Sequence, residues 1–339
     1  MAEKWIRRTG SKERGFRYGG PDGKPMRDKA TLERIDLLRI PPAWRDVHIA
    51  ASARAAIQVW GLDARGRKQY RYHGRAVEKG QLRKYYRVRQ MATDLPKLRK
   101  RFIRDLRQGG YSKDRVCAGI VLLISHAWFR VGSDRYEKEN NSFGITTLRK
   151  SHVELEKDII RFQYKGKRGI DNRQKVTEPR LIAFVLEMMS TPGVRLFRYL
   201  EGRKWSDANA RDVNDYIERV AGVPYTAKDF RTWGGSLRAA TVLSDLGPVH
   251  TRSARNKNIL TTVRVVAAEL GNTPAICRKS YVHPMILARY LRSGATIEVR
   301  HRNGGTVSAS KHTPEEIALI DFLDVHFPDR RGSRRLDGS

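Results

Sequence analysis

Thr226-Ala227-Lys228-Asp229-Phe230-Arg231, followed by Trp233 and Leu237, is the stretch from which the fold of this 339-residue chain is read. Thr226 with Asp229 has the pattern in which a hydroxyl and a carboxylate cap each other's backbone N–H groups at a helix start. The spacing predicts a helix from about Ala227, with Phe230, Trp233 and Leu237 as its buried stripe. Lys228 and Arg231 stand one turn apart on another face, close to the positive end of the helix. Free backbone N–H groups and two cations pointing the same way suit a phosphate. Arginine near a helix start is common, so this alone is a weak signal.

Further along, residues 259–270 carry Val263, Val266 and Ala267 at helical spacing. Gly271 ends that helix and Thr273-Pro274 begins another, so Asn272 falls in a tight corner where backbone geometry holds its side chain. Pro284 limits the second helix and leaves Tyr281 near its end, where a side chain moves at small cost. Taken alone, Tyr281 fits a half-buried core tyrosine better, and the neighbouring His283 is in place to be read as a base. Taken with two cations and an amide side chain, it fits a phosphodiester site with a tyrosine nucleophile.

Composition narrows the partner. There are 68 Lys and Arg against 36 Asp and Glu, a formal net charge of +32. Charge that far from neutral repels itself in the compact state, and a polyanion such as duplex DNA relieves it. No apolar run approaches the roughly 20 residues of a membrane-spanning helix, and residues 1–10 are too polar for a signal peptide. Two cysteines are too few for a disulfide framework or a zinc cluster. The expectation is a soluble cytoplasmic, nucleoid-associated protein. Its ends at 330–339 read as frayed.

The length suggests two domains, placed at 1–80 and 81–339. The first reads as β-rich: a hairpin around the turn Gly19-Gly20-Pro21-Asp22-Gly23, a short helix capped by Thr31, and a second hairpin pairing 57–62 with 68–72. On its last strand Gln69 and Arg71 face one way, Tyr70 and Tyr72 the other. Residues 74–80, bounded by Gly74 and Gly80, read as a linker. After it the periodicity is mainly helical. Asp94 is placed as a helix cap with Pro96 in the first turn and Leu98, Phe102 and Leu106 inside. The basic face of that helix, Lys97, Lys100, Arg101, Arg104 and Arg107, fits phosphate contact or plain solvation. One interruption, 153–155 and 160–164 followed by Lys165-Gly166-Lys167-Arg168-Gly169, predicts a small antiparallel sheet with Lys167 on a mobile hairpin tip.

These segments resemble type IB DNA topoisomerases, the compact bacterial and poxvirus-like group. Arg130-Val131-Gly132 with Tyr136 and Glu139-Asn140 is similar to the family's first catalytic arginine segment. Gly166-Lys167 is similar to its hairpin lysine, Lys228-Asp229-Phe230-Arg231-Thr232-Trp233 to its second arginine segment, and Gly271-Asn272-Thr273-Pro274 through Lys279-Ser280-Tyr281 to its nucleophile segment. Ile40-Pro41-Pro42-Ala43-Trp44 and residues 67–73 resemble its DNA-binding cap domain. The match covers nearly the whole chain, in order.

The resemblance implies an α+β protein: a C-shaped clamp with a small β-rich cap and a larger, mainly α catalytic domain of tyrosine recombinase-like fold. It also implies a job for each residue. Tyr281 attacks a DNA phosphorus and forms a 3′-phosphotyrosine; Arg130 and Arg231 bind the nonbridging oxygens; Lys167 protonates the leaving 5′ oxygen; Asn272 donates one more hydrogen bond. Poxvirus and nuclear members carry His at the Asn272 position; Asn keeps the donor and excludes acid–base work there. Neither ATP nor metal nor another cofactor is required, and the enzyme acts as a monomer on duplex DNA. Gln69, Tyr70, Arg71, Tyr72, Tyr136 and Lys228 are the expected DNA contacts. A tyrosine recombinase shares this chemistry, although it usually carries His where this chain has Lys228. A basic architectural protein would explain the charge but leave the ordered Arg, Lys, Arg, Asn, Tyr set an accident.

Overall fold

The structure is a computed structural model describing residues 5–299 and 309–327; the expected fraying at 330–339 lies outside the described residues. The chain divides into two compact units, Met1–Lys84 and Tyr85–Ser339. It is α+β, with a mostly helical core and small antiparallel sheets.

In the first unit β1 (Trp5–Ser11), β2 (Gly15–Gly19), α1 (Lys29–Leu37), β3 (Arg45–Ala50), β4 (Ile57–Leu62) and β5 (Lys68–Tyr72) build an antiparallel sheet in the order β2-β1-β3-β4-β5. Ile6, Val47, Ile49 and Val59 face α1 and close over its Ile35. The β4–β5 hairpin has the expected limits, with Trp60 opposite Tyr70 and Gly61 opposite Gln69. Two readings need correction. The partner of β2 is the preceding strand β1; the 19–23 turn instead folds the chain back locally, with the Met26 N–H on the Tyr18 carbonyl. The cap of α1 is Asp28, whose carboxylate accepts the Thr31 N–H at 2.8 Å, one turn earlier than the expected Thr31 cap.

The expected linker at 74–80 is also helix. It opens α2 (Gly74–Leu106), and the unit boundary falls inside this helix. Its two glycines read as breaks, yet the residues between them include Arg, Ala, Glu and Lys, strong helix formers that offset about 1 kcal/mol per glycine. His73 Nδ1 accepts the Arg75 N–H at 3.1 Å and caps the start. Pro96 consequently lies within a long helix, and the Asp94 carboxylate accepts the Tyr225 hydroxyl at 2.7 Å in place of a backbone N–H.

The second unit is organised around α3 (Lys113–Ala127), apolar on nearly every side and buried as such a helix must be. α4 (Asp134–Asn140) is exposed and short. β6 (Val153–Glu156), β7 (Ile159–Lys165) and β8 (Asp171–Val176) form the small sheet, with β7 and β8 joined by the tip at 166–170. α5 (Pro179–Met189), the β9 (Arg198–Glu201)–β10 (Lys204–Asp207) hairpin and α6 (Ala210–Ala221) complete the surround of α3. α7 (Ala227–Leu246), α8 (Arg252–Glu269), α9 (Pro274–Ser280) and α10 (Pro284–Ser293) then carry the residues of interest, and α11 (Pro314–His326) packs on α7. No described helix is long and apolar enough to cross a membrane.

α11 is held by a buried ion pair. Both Glu316 oxygens accept from Arg99 on α2, at 2.8 and 2.6 Å, and Trp233 Nε1 on α7 donates to the same carboxylate at 3.3 Å. Burial alone would raise the Glu316 pKa; the Arg99 guanidinium and its hydrogen bonds outweigh that and hold it below the usual carboxylate range. A depressed folded pKa means stability present above the unfolded value and lost as pH falls through the folded one. Glu316→Gln is therefore expected to cost about 3 kcal/mol near neutral pH, because it strands Arg99. Thermal melts of both proteins should converge as pH drops below about 4; a gap independent of pH would show that the pair contributes nothing as a pair.

Candidate active site

Arg130 enters the site through an unusual turn. Trp128 takes a left-handed conformation (φ 54°) and caps α3, after which Phe129 drives into the core. The Arg130 and Val131 carbonyls then accept the Ile145 and Thr146 N–H groups at 2.7 and 2.9 Å, pinning the segment against 144–147. From there the guanidinium reaches the α8–α9 corner, donating to the Gly271 carbonyl at 2.6 Å and to Asn272 Oδ1 at 2.5 Å.

Arg231 arrives from the first turns of α7, whose start has the predicted reciprocal cap between Thr226 and Asp229. It is buried and donates to the Leu270 carbonyl at 3.0 Å. Three acceptors from one corner, Leu270 O, Gly271 O and Asn272 Oδ1, thus hold two arginines. Burial pushes the Arg231 guanidinium down to about 10; Tyr281 opposes the shift, the like charge of Arg130 adds to it, and Tyr164 opposes it. Burial likewise lowers Arg130.

The corner exists because Gly271 takes φ +60° and the Asn272 N–H returns to the Ala267 carbonyl at 2.8 Å. Thr273 caps α9 at its start, and Tyr281 is the capping residue just past its end, half-buried. The Arg231 guanidinium lies 5.3 Å from the Tyr281 ring centre. Close approach of α7 depends on Gly235, where a Cβ would come 2.9 Å from the Tyr281 carbonyl oxygen. Next to it, Ser236 Oγ reaches that carbonyl at 3.2 Å and accepts the His283 N–H at 3.0 Å. His283 is buried, its Nδ1 caps α10 through the Met285 N–H, and its ring packs against Tyr85 and Phe327.

The polar atoms left over are the informative ones. An arginine only donates, so the Asn272 amide must turn its oxygen to Arg130 and its NH₂ the other way. Among the described residues no acceptor reaches Asn272 Nδ2 or Arg231 Nε, although both are buried. A buried donor without an acceptor costs about 1–3 kcal/mol. Two such donors, one of them on the arginine whose guanidinium lies 5.3 Å from the Tyr281 ring centre, leave this corner with unused capacity to bind an anion.

Arg130, Arg231, Asn272 and Tyr281 are thus brought together. Lys167 is exposed at the β7–β8 tip, its Nζ 5.7 Å from the ring of Tyr136 on α4. Lys228 stands on the exposed side of α7 while Arg231 is buried, so the two do not point the same way as the helix start suggested. In the first unit Tyr70 and Tyr72 stack 5.9 Å apart on an exposed face and do not enter a core. Gln69 donates to Asp63 at 3.0 Å and Arg71 to the Arg39 carbonyl at 2.8 Å.

Sequence reasoning missed Ser236 and Tyr164. Tyr164 is buried beside both arginines; burial pushes its hydroxyl up to about 12 against their opposing charges, and Gln174 hydrogen-bonds it. It stays a neutral lining group at any physiological pH. The alternation Ile160, Phe162, Tyr164 signalled its inward face, but nothing in the sequence signalled what it would meet.

These arrangements predict the order of Asn272 variants. Asn272→Asp keeps an acceptor for Arg130 but turns a carboxylate toward the anion, and is expected to slow single-turnover cleavage at least about 100-fold. Asn272→Ala should lose about tenfold or more, and Asn272→His should retain most activity, since one ring nitrogen can accept while the other donates. An alanine variant as fast as the parent would remove Asn272 from the site.

Comparison with known proteins gives two family matches and a set of viral relatives. Residues 73–301 match the family "Eukaryotic DNA topoisomerase I, catalytic core", and residues 15–63 match "Bacterial DNA topoisomerase IB, N-terminal domain". The chain is 34% identical over 282 residues to DNA topoisomerase 1B of Acanthamoeba polyphaga mimivirus, covering 80% of this chain and 83% of that protein. It is 26% identical over 297 residues to DNA topoisomerase 1 of rabbit fibroma virus (81% and 88% covered), and 24% over 272 residues to DNA topoisomerase 1B of vaccinia virus strain Copenhagen (77% and 82%).

Proposed function

Because the chain belongs to the type IB DNA topoisomerase family, we propose that its own Tyr281, Arg130, Arg231, Asn272 and Lys167 relax supercoiled duplex DNA by transient cleavage of one strand. The observation that carries this is the pair of buried, unpartnered donors, Arg231 Nε and Asn272 Nδ2, at a corner where the Arg231 guanidinium lies 5.3 Å from the Tyr281 ring centre.

Tyr281 Oη attacks the phosphorus and its proton passes to water. The P–O5′ bond breaks, leaving a 3′-phosphotyrosine. The leaving 5′ oxygen takes a proton from Lys167 Nζ, which the hairpin tip carries. Charge growing on the nonbridging oxygens is met by the two guanidinium groups and by Asn272 Nδ2, which are already oriented and already desolvated. Religation reverses the path, so the bond energy is retained in the phosphotyrosine and neither ATP nor metal is needed.

The remaining assignments extend the same reading. The N-terminal unit serves as a DNA-binding cap, with Tyr70 and Tyr72 offering exposed rings and Gln69 and Arg71 the polar side of the ribbon to the major groove. Cap and catalytic unit close on opposite faces of the duplex as a C-shaped clamp, the catalytic part sharing the tyrosine recombinase-like fold. Tyr136 and Lys228 add contacts from the catalytic side. The enzyme works as a monomer in the cytoplasm on the nucleoid, where its charge of +32 is neutralised by phosphates.

Plasmid relaxation in EDTA without ATP tests the reading. The parent is expected to relax both negative and positive supercoils, and Tyr281→Phe to relax neither while still binding DNA. Binding by the parent with no change in linking number would refute it.

A further inference from the structure

The hairpin tip and the α8–α9 corner meet on one side chain. Asn172, the second residue of β8, is 4% exposed. Its Nδ2 donates to the Ile170 carbonyl at 2.8 Å, which also accepts the Gly166 N–H at 2.8 Å, so one oxygen gathers both ends of the tip. The tip is further tied to the segment after α4: Ser142 Oγ donates to the Gly166 carbonyl at 3.1 Å and the Phe143 N–H to the Lys165 carbonyl at 2.8 Å. The Asn172 amide also lies directly against two glycines. A Cβ on Gly166 would overlap its Nδ2, and a Cβ on Gly271 would overlap its Oδ1. The second of those positions lies 3.3 Å from Arg130 Nη1. Gly166 immediately precedes Lys167, and Gly271 immediately precedes Asn272.

We propose that Asn172 is a positioning residue for proton transfer: its amide sets the distance between the tip that carries Lys167 and the corner that carries Asn272, so that both act on one phosphate. The proposal rests on Lys167 being the general acid. The geometry requires glycine on each side because any Cβ would push tip and corner apart, and it requires a planar amide because the same group must donate to Ile170 while lying flat between two backbones. Asn172 itself does not touch the reacting atoms. Its loss should therefore spare DNA binding and nucleophile alignment and impair delivery of the proton, since small misplacements of a catalytic group are costly.

A substrate whose 5′ bridging oxygen is replaced by sulfur separates these effects. A thiol has a pKa of about 8.5 and leaves as thiolate without needing a proton. Single-turnover cleavage of oxygen and sulfur substrates is compared for the parent, Lys167→Ala, Asn172→Ala and Asn172→Ser, with melting temperature and DNA affinity as controls for folding. Asn172→Ala is expected to be slower than the parent by at least about tenfold on oxygen and to come within about threefold of it on sulfur, as Lys167→Ala should. Asn172→Ser, which keeps a donor for Ile170, should fall between the two and takes the place of the alanine variant if that one does not fold. Slow cleavage by the Asn172 variants on both substrates, with Lys167→Ala restored on sulfur, would overturn the proposal and leave Lys167 as the acid. Parental rates on oxygen would overturn it as well. Failure of sulfur to restore Lys167→Ala would instead remove the general-acid assignment, and the role given to Asn172 with it.

Discussion

The site depends on two like charges, one buried and one partly buried, being held beside one another before any substrate is present. Arg130 and Arg231 repel, and burial penalises each of them. What offsets this is a short run of backbone, 270–272, that turns two carbonyls and one amide oxygen toward them. Carbonyl oxygens stabilise a guanidinium without neutralising it, which a carboxylate would do. The site therefore keeps its full positive charge for a phosphate. The same corner turns the Asn272 NH₂ away from the arginines, so one backbone turn sets both cations and the extra donor.

Other elements secure that corner at close range. Gly235 lets α7 approach the Tyr281 backbone, and Gly234 beside it leaves room for the Trp128 indole, whose left-handed cap directs the chain toward Arg130. Ser236 ties α7 to the residues on either side of Val282. The neighbouring Tyr85 hydroxyl donates to the Val282 carbonyl at 2.8 Å from α2. Tyr281 is thus carried by a backbone anchored on two helices, while its ring stays half-buried at a helix end.

Much of this was legible in residue order. The reciprocal cap at Thr226 and Asp229, the glycine stop at 271, the cap at Thr273 and the strand alternation around Phe162 are local signals, and each produced the predicted element. The misreadings came where a local signal had a distant competitor. Asp94 looked like a cap because it precedes a proline, but Tyr225 claims its carboxylate. Gly74 and Gly80 looked like a linker, but good helix formers between them and a His73 cap carried the helix through. Lys228 and Arg231 looked like a pair because they sit one turn apart, and burial separated them.

Sequence by itself determined the chemistry on offer. Residue types decide which atoms donate, accept or attack, and the charge of +32 decides that the partner is a polyanion. Periodicity and caps decided most helix and strand limits, because those depend on neighbours a few positions away. Tertiary structure alone decided which donors would be left unsatisfied. Arg231 Nε and Asn272 Nδ2 are orphaned only because Arg130, Arg231 and the 270–272 corner arrive from three separate places in the chain and use their other polar atoms on one another. The part of Asn172 is of the same kind: a polar residue in a polar run gives no sign that two glycines far apart in sequence will close on it, since that contact arises from packing and not from any local propensity.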